Sequence, residues 1–347
     1  MKKVLVTGAA GRVGANVCLQ LSNRGTQVRA VVLPGDPFVC KIKGLPHVEI
    51  VEADLTDMQS VTEAVEGCTH FIHLAAQLIR GNTPYDMFYE INAFSTLRLL
   101  LAAVQYCEIE RFVLASTDGT YCPGSLTRKN PIKETNEQLP GDHYGTGKYL
   151  GEVILRNLAF QYDIPFSIVR FATVVSPEES LSCYRYEYVM RLCELGKKGK
   201  DCHLWPLFQG QPDMGEILRE NVPAQGNPAL RLHGPKGLWT MHCGDVRDIV
   251  QGVLLAYEHP KALGEDFMIA GPRTTSYGEA CEIFERLGVT RAQEVEFPVT
   301  WFLDMDITKA KTVLGFEPQW TFERMVQSGL DMEKNGPKGF IPATMRR

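Results

Sequence analysis

A chain of 347 residues has room for about two domains, or for one large α/β unit with an appended lobe. Hydrophobic residues make up 44% and charged residues 22%, which excludes a disordered or fibrous chain. Lys and Arg total 36 against 41 Asp and Glu, a net of −5 with no basic block, so neither nucleic acid nor a membrane surface is indicated as a partner.

Short runs rich in Val, Ile and Phe read as strands at 3–7, 27–33, 48–51, 70–74, 111–115 and 166–170. They are apolar on both faces, as strands covered on both sides must be. Helical patterns lie between them at about 12–24, 57–66, 84–107 and 141–161. This alternation predicts right-handed βαβ units and a parallel sheet. After about Pro177 the character changes, and 197–238 is rich in Gly, Pro and Gln with little periodicity, as in lids and binding loops. From Asp245 the alternation resumes with a helix to about 258, a strand at 266–269 and a helix capped by Ser276 with Glu279 in capping-box register. A last helix spans about 322–333, and the tail at 336–347 reads as loose. The expected division is a nucleotide-binding unit over 1–177, rejoined by parts of 239–262, and a smaller C-terminal substrate-binding lobe over 178–335.

No apolar run of secretory or transmembrane length occupies the first 30 residues. The ten cysteines include no CxxC and no zinc-type spacing with histidine. They read as reduced thiols in a cytoplasmic protein, with a redox pair of Cys193 and Cys202 as the alternative. No metal is expected, since His143 and His203 show no ligand spacing with carboxylates.

Thr7-Gly8-Ala9-Ala10-Gly11-Arg12-Val13-Gly14 follows the first strand and opens the first helix. Gly8 permits a tight turn, Gly11 lets backbone approach a pyrophosphate, and Gly14 lets the helix pack close to the sheet. The N–H groups at the helix start, around Arg12 and Val13, then face the phosphates. These features predict a Rossmann-type, doubly wound parallel sheet binding NAD or NADP. The end of the second strand normally offers an acid to the ribose or Arg to a 2′-phosphate. Here it offers Leu33, with Asp36 three residues on and Arg12 as the alternative cation, which leans to NAD.

The GxxGxxG spacing, beginning TGxxG, resembles the extended branch of the short-chain dehydrogenase/reductase superfamily, the NAD-dependent epimerase/dehydratase family. The resemblance gives Asp54 and Leu55 a role in holding adenine. It aligns His73-Leu74-Ala75-Ala76 with a cofactor-side segment, and Asn92 with an Asn of the following helix. It also implies a homodimer built on the helices near 84–107 and 141–161.

Tyr144 and Lys148 form a YxxxK that a helix would place on one face. A second match, Tyr257 and Lys261, has Pro260 between its ends and is a decoy. A phenol of reference pKa about 10 needs a nearby cation to act as a base at neutral pH. With one, Tyr144 can exchange a proton with a substrate hydroxyl while hydride moves to or from its carbon. The resemblance adds that Lys148 bonds the nicotinamide ribose and that Thr117 takes the catalytic hydroxyl position, beside Ser116.

Ser116-Thr117-Asp118 resembles the run in nucleotide-sugar 4,6-dehydratases whose Asp and Glu eliminate water, but Gly119 stands where the Glu would be. Asp118 is left to bond a substrate hydroxyl or cap the turn. The resemblance also implies a diphosphate-binding Arg near Leu238 and Trp239, and none is there; Arg231 or Lys236 are the substitutes. Trp205, Phe208 and Trp239 suit stacking on a sugar, or equally a core. The first reading is an NAD(P)-dependent dehydrogenase acting on a secondary alcohol or carbonyl of a sugar, sugar acid or similar small polyol. The alternatives are an epimerase with tightly bound NAD and a non-catalytic dinucleotide sensor.

Overall fold

The computed structural model describes residues 2–78, 83–199, 202 and 204–344, so His203 lies outside the described residues. Its centre is a seven-stranded sheet of β1 (Lys3–Thr7), β2 (Gln27–Val32), β3 (Val48–Glu52), β4 (His70–His73), β5 (Arg111–Thr117), β6 (Phe166–Phe171) and β7 (Glu265–Ile269). The spatial order is β7-β6-β5-β4-β1-β2-β3, and every neighbouring pair is parallel. Chain order reverses between β1 and β4, and at such a reversal a crevice opens beyond the carboxyl ends of the strands.

Alternate strand residues face opposite sides, so each side acquires its own core. On one side Val4, Val6, Ile72 and Val113 pack with Val17 and Leu21 of α1 (Arg12–Asn23) and with Val250 and Val253 of α5 (Val246–Glu258). On the other, Leu5, Phe71, Phe112 and Ile168 meet Val61 of α2 (Met58–Val65), Leu99 and Leu100 of α3 (Tyr85–Tyr106), and Leu155 and Ala159 of α4 (His143–Tyr162). Helix α3 contains a π-helical turn at Glu90–Phe94, an irregularity that periodicity does not reveal.

The chain leaves the sheet and returns. Cys243–Asp245 pairs with Thr173–Val175, and β7 then becomes an edge strand of the main sheet, although the sequence reading assigns it to the appended lobe. That lobe carries a three-stranded sheet of Ala292–Glu296, Ala229–Gly234 and Gly237–Leu238 beside a helix at Tyr277–Arg286. Ser276 caps this helix by accepting the Glu279 N–H at 3.0 Å, as expected. The region read as irregular contains a helix at Met214–Asn221, capped by Asp213, besides the strand at Ala229–Gly234.

The tail is not loose over its described part. Asn16 and the Ile341 backbone exchange hydrogen bonds of 2.8 and 2.7 Å, and the Ala343 N–H donates to Glu178 at 2.7 Å. None of the ten cysteines forms a disulfide among the described residues. Burial pushes Cys193 up to about 12 and Cys202 up to about 11, which leaves the suggested redox pair as unreactive thiols.

Candidate functional site

The glycine turn joins β1 to α1 at the switch point. Gly8 adopts φ +62°, and a Cβ there would stand 2.9 Å from the Ala75 backbone. A Cβ on Gly14 would lie 2.1 Å from the Gly8 carbonyl oxygen, and one on Gly11 would lie 3.0 Å from it. Helix α1 starts at Gly11 with no side-chain cap, so its first N–H groups are left for a ligand. Backbone in that form fits the pyrophosphate of a dinucleotide.

The Thr7 hydroxyl ties β1 to β4. It lies 2.6 Å from His73 Nδ1 and accepts the N–H groups of Leu74 and Ala75 at 3.1 and 3.2 Å. Burial pushes the His73 imidazole down to about 3, so it is neutral and serves as a structural link. Leu74 and Ala75 thereby lie along the glycine turn. Asn92, in the π-helical turn, accepts the Gln77 N–H at 2.9 Å and donates to the Gln77 carbonyl at 3.1 Å. It fixes the loop after β4, which makes it a positioning residue.

The ends of β2 and β3 carry Asp36 and Asp54. Asp36 accepts the Phe38 N–H at 2.8 Å, and Asp54 Oδ1 accepts the Thr56 N–H and hydroxyl at 2.8 Å each. Both acids therefore also shape their turns, and Leu55 is buried beside Asp54. Arg12 is held by Glu179 through Nε at 2.8 Å and Nη2 at 2.5 Å. A guanidinium neutralised in this way is a poor partner for a 2′-phosphate. The arrangement agrees with NAD.

Thr117 ends β5, and Tyr144 and Lys148 lie on the first turns of α4. Asp142 caps that helix by accepting the Gly145 N–H at 2.5 Å. Gly145 lets the helix start reach β5, because a Cβ there would stand 2.5 Å from the Gly119 carbonyl oxygen. Burial pushes the Tyr144 phenol well above its ordinary value, the Asp118 carboxylate adds to this, and a hydrogen bond with Thr117 opposes it. Burial pushes Lys148 down to about 8, against the charge of Glu152. The cation expected to lower the Tyr144 pKa is not among the groups that shift it, and burial with Asp118 dominates, so the resting phenol is protonated. Asp142, also buried, is pushed up to about 6. Thr117 donates to Asp118 at 2.9 Å and accepts the Gly119 N–H at 3.1 Å. Gly119 is enclosed, and a Cβ there would lie 3.2 Å from Thr117 Cγ2 and 3.7 Å from Tyr144 Cδ1.

Several expected substrate contacts lie elsewhere. Ser116 points to the opposite face of the sheet and donates to the buried Glu152 at 2.5 Å. Trp239 is 1% exposed, donates to the Val299 carbonyl at 2.8 Å, and packs among Tyr277, Phe297 and Trp301. It is a core residue of the appended lobe. Arg231 faces Glu282 and Glu294, 3.7 Å from each, on that lobe's sheet. Trp205 does reach the site's edge, donating to the Gly141 carbonyl at 2.7 Å just before the cap of α4. His143 is hydrogen-bonded to Tyr89 at 2.8 Å and stacked on Tyr85. Sequence reasoning missed Glu179, Glu152, Arg170 and Arg128. Of these only Glu152, one turn beyond Lys148, left a spacing signal.

Residues 4–270 match the NAD dependent epimerase/dehydratase family. A UDP-glucose 4-epimerase from Rhizobium leguminosarum bv. trifolii is 35% identical over a 352-residue alignment covering 94% of this chain and 96% of the relative. A short-chain dehydrogenase/reductase superfamily protein from Agrobacterium tumefaciens, solved with bound NAD, has a TM-score of 0.82 at 26% identity, covering 96% of this chain and 97% of that one. The UDP-glucuronic acid 4-epimerase from Bacillus cereus, with a TM-score of 0.71, 20% identity and coverage of 96% and 99%, shares the fold. The chain therefore belongs to the NAD-dependent epimerase/dehydratase family and is an NAD-dependent enzyme of the short-chain dehydrogenase/reductase type.

Proposed function

We propose that the protein is a sugar epimerase: a hydroxyl-bearing carbon is oxidised, the ketone turns over in the site, and hydride returns to its other face. The observation that carries this reading is the hydrogen bond between Thr117 and Tyr144, on the helix that also carries Lys148, in a chain 35% identical to a UDP-glucose 4-epimerase. The relatives move the weight from net dehydrogenation, the first expectation from sequence, to epimerisation. NAD, when bound, supplies a reversible hydride acceptor. Gly8, Gly11, Gly14 and the N–H groups of Arg12 and Val13 hold its pyrophosphate, while Leu74, Ala75, Ala76, Asp36, Asp54 and Leu55 line the rest of its path.

Tyr144 would first release its phenolic proton to solvent, which Lys148 and the positive nicotinamide of bound NAD favour, and the phenolate would then take the hydroxyl proton as the carbon is oxidised and give it back on reduction. Thr117 orients that oxygen, and Lys148 supplies the cation that offsets the burial of Tyr144. Asp118 meets the substrate beside Thr117. The packing around Gly119 supports epimerisation over 4,6-dehydration, because the position of the eliminating acid carries no side chain. We further infer a homodimer through α3 and α4, and a cytoplasmic location from ten cysteines that form no disulfide among the described residues.

Denaturing the purified protein and identifying the released nucleotide tests this reading. The expected result is about one NAD per chain, with epimer formed from a nucleotide sugar or sugar acid and no accumulation of reduced nicotinamide. An empty protein that turns over NAD stoichiometrically with an alcohol would replace it with the dehydrogenase.

A further inference from the structure

After β5 the chain crosses to the appended lobe, and this crossing carries a basic side chain that the motifs do not include. Ile132 pairs with the segment around Met305, donating its N–H to the Asp304 carbonyl at 2.9 Å and accepting the Asp306 N–H at 2.8 Å. Trp301 donates to the Pro123 carbonyl at 3.0 Å, and Asn130 to the Phe302 carbonyl at 2.9 Å. Arg128 lies within this seam. Its Nη2 donates to Asn130 Oδ1 and to the Phe302 carbonyl, at 3.2 Å each. Its Nε and Nη1 are buried and have no hydrogen-bond partner. Among the described residues no carboxylate oxygen comes within 4.0 Å of the guanidinium.

A guanidinium is a rigid set of five N–H donors that remains charged in proteins. Burying part of it with one N–H on Nε and two on Nη1 unmet is costly unless an anion completes the set. Asp118 is the acid whose charge Arg128 feels most, and Asp118 accepts the Thr117 hydroxyl at 2.9 Å beside Tyr144. Arg128 and Asp118 thus lie close enough for their charges to interact, which puts the unmet donors near the candidate reacting groups.

We propose that Arg128 is the residue that binds an oxyanion of the substrate, a carboxylate or a phosphate oxygen, at the seam between the two lobes. This rests on the reading of the cleft as a sugar site and deepens it: the substrate is anionic, and Arg128 selects for the charge. Phe302 and Asn130 hold one edge of the guanidinium so that Nε and Nη1 face the ligand. The carboxylate of a sugar acid and the diphosphate of a nucleotide sugar share this chemistry.

Binding to the NAD-loaded protein, followed by calorimetric titration, separates the sources without requiring turnover. The probes are D-glucuronate against D-glucose, and UDP-glucuronate against UDP-glucose, for wild type, Arg128→Gln and Arg128→Lys. If a sugar carboxylate is the anion, wild type binds the acid of each pair at least about tenfold tighter, and Arg128→Gln abolishes that preference while changing the neutral member less than about twofold. If the diphosphate is the anion, both UDP-sugars weaken together by about tenfold or more in Arg128→Gln, and the free sugars do not discriminate. Arg128→Lys retains a point charge and is expected in between; it carries the test if the Gln variant fails to fold. Unchanged binding of every probe in a folded variant, or failure of wild type to bind any anionic probe, overturns the proposal. A wild type that binds anions through Arg128 yet forms no epimer would instead overturn the epimerase reading and leave this one standing.

Discussion

Glu152 lies one helical turn beyond Lys148 on α4 and accepts Nε and Nη2 of Arg170 at 2.9 and 2.6 Å, with both side chains 1% exposed. Ser116 donates to the same carboxylate, and Asp266 on β7 pairs with the other side of the guanidinium. The pair locks α4 to β5, β6 and β7, and so fixes Lys148 relative to Thr117. Breaking a buried pair by removing one partner is far more costly than replacing both with apolar groups. Arg170→Met should lose about 3–5 kcal/mol in urea unfolding, whereas the double variant Arg170→Met with Glu152→Leu should recover most of it. A single variant as stable as wild type would remove this pair from the account.

The same carboxylate tunes Lys148. Burial pushes the ammonium down to about 8, and the negative charge of Glu152 opposes that shift. The cation is therefore present below about pH 8 and is lost as pH rises through it. Turnover that depends on the cation falls on that alkaline limb. In Glu152→Gln the opposing charge is gone, so the limb should move to lower pH by roughly 1 unit. Lys148→Arg should lower the rate and flatten the limb, because a guanidinium does not titrate there. A limb that stays put in both variants belongs to another group.

Tyr144 is enclosed, and its phenol is held protonated by burial and by Asp118. Removing the hydroxyl leaves the ring in place, so Tyr144→Phe should keep its NAD and its melting temperature. Turnover should fall by about 10²–10⁴-fold, the usual share of general acid–base catalysis. Turnover within a few-fold of wild type would exclude Tyr144 as the proton-transferring group.

The parts of the molecule that were legible in the sequence are those governed by local rules. Strands buried on both faces and a glycine turn followed by a helix need only neighbouring residues to declare themselves, and β1 to β6 lie close to where the pattern puts them. The apolar run of β7 fits either lobe, and only its pairing with β6 places it in the main sheet. Trp239 was ambiguous because an aromatic residue near a site looks the same as one packed against Phe297 and Trp301. Arg128 and Arg170 carried no signal at all. A buried cation is recognisable by partners that come from distant stretches of chain: Phe302 for Arg128, and Glu152 and Asp266 for Arg170.

The glycine turn sets a test on the cofactor side. At Gly14 a methyl group would sit 2.1 Å from the Gly8 carbonyl oxygen and 2.9 Å from Ala9 Cα, so α1 must move away from the turn to admit it. Gly14→Ala should therefore purify with much less NAD than wild type, read from nucleotide absorbance after denaturation, and should melt at a lower temperature. Added NAD should raise its melting temperature less than it raises that of nucleotide-free wild type. An alanine variant carrying a full complement of NAD would mean that the pyrophosphate lies elsewhere.

Helices α3 and α4 form one continuous surface, because Gly147 and Gly151 allow them to touch: a Cβ on either would stand 2.5 or 2.6 Å from the carbonyl oxygens of Phe88 or Asn92. These two helices expose Phe94 at 42%, Leu101 at 38% and Phe160 at 89%. A phenyl ring left in water at that level on a helix is unfavourable unless something covers it. A second copy applied about a twofold axis would set two helices against two, bringing the same apolar residues together from both sides. Phe160→Glu places a charge in that contact and touches nothing in the core. It should convert a dimer to a monomer in light scattering at micromolar concentration while leaving the melting temperature of the monomer and its NAD content intact. If wild type is itself monomeric at all concentrations, or if the Glu variant still elutes as a dimer, the pairing through α3 and α4 is wrong.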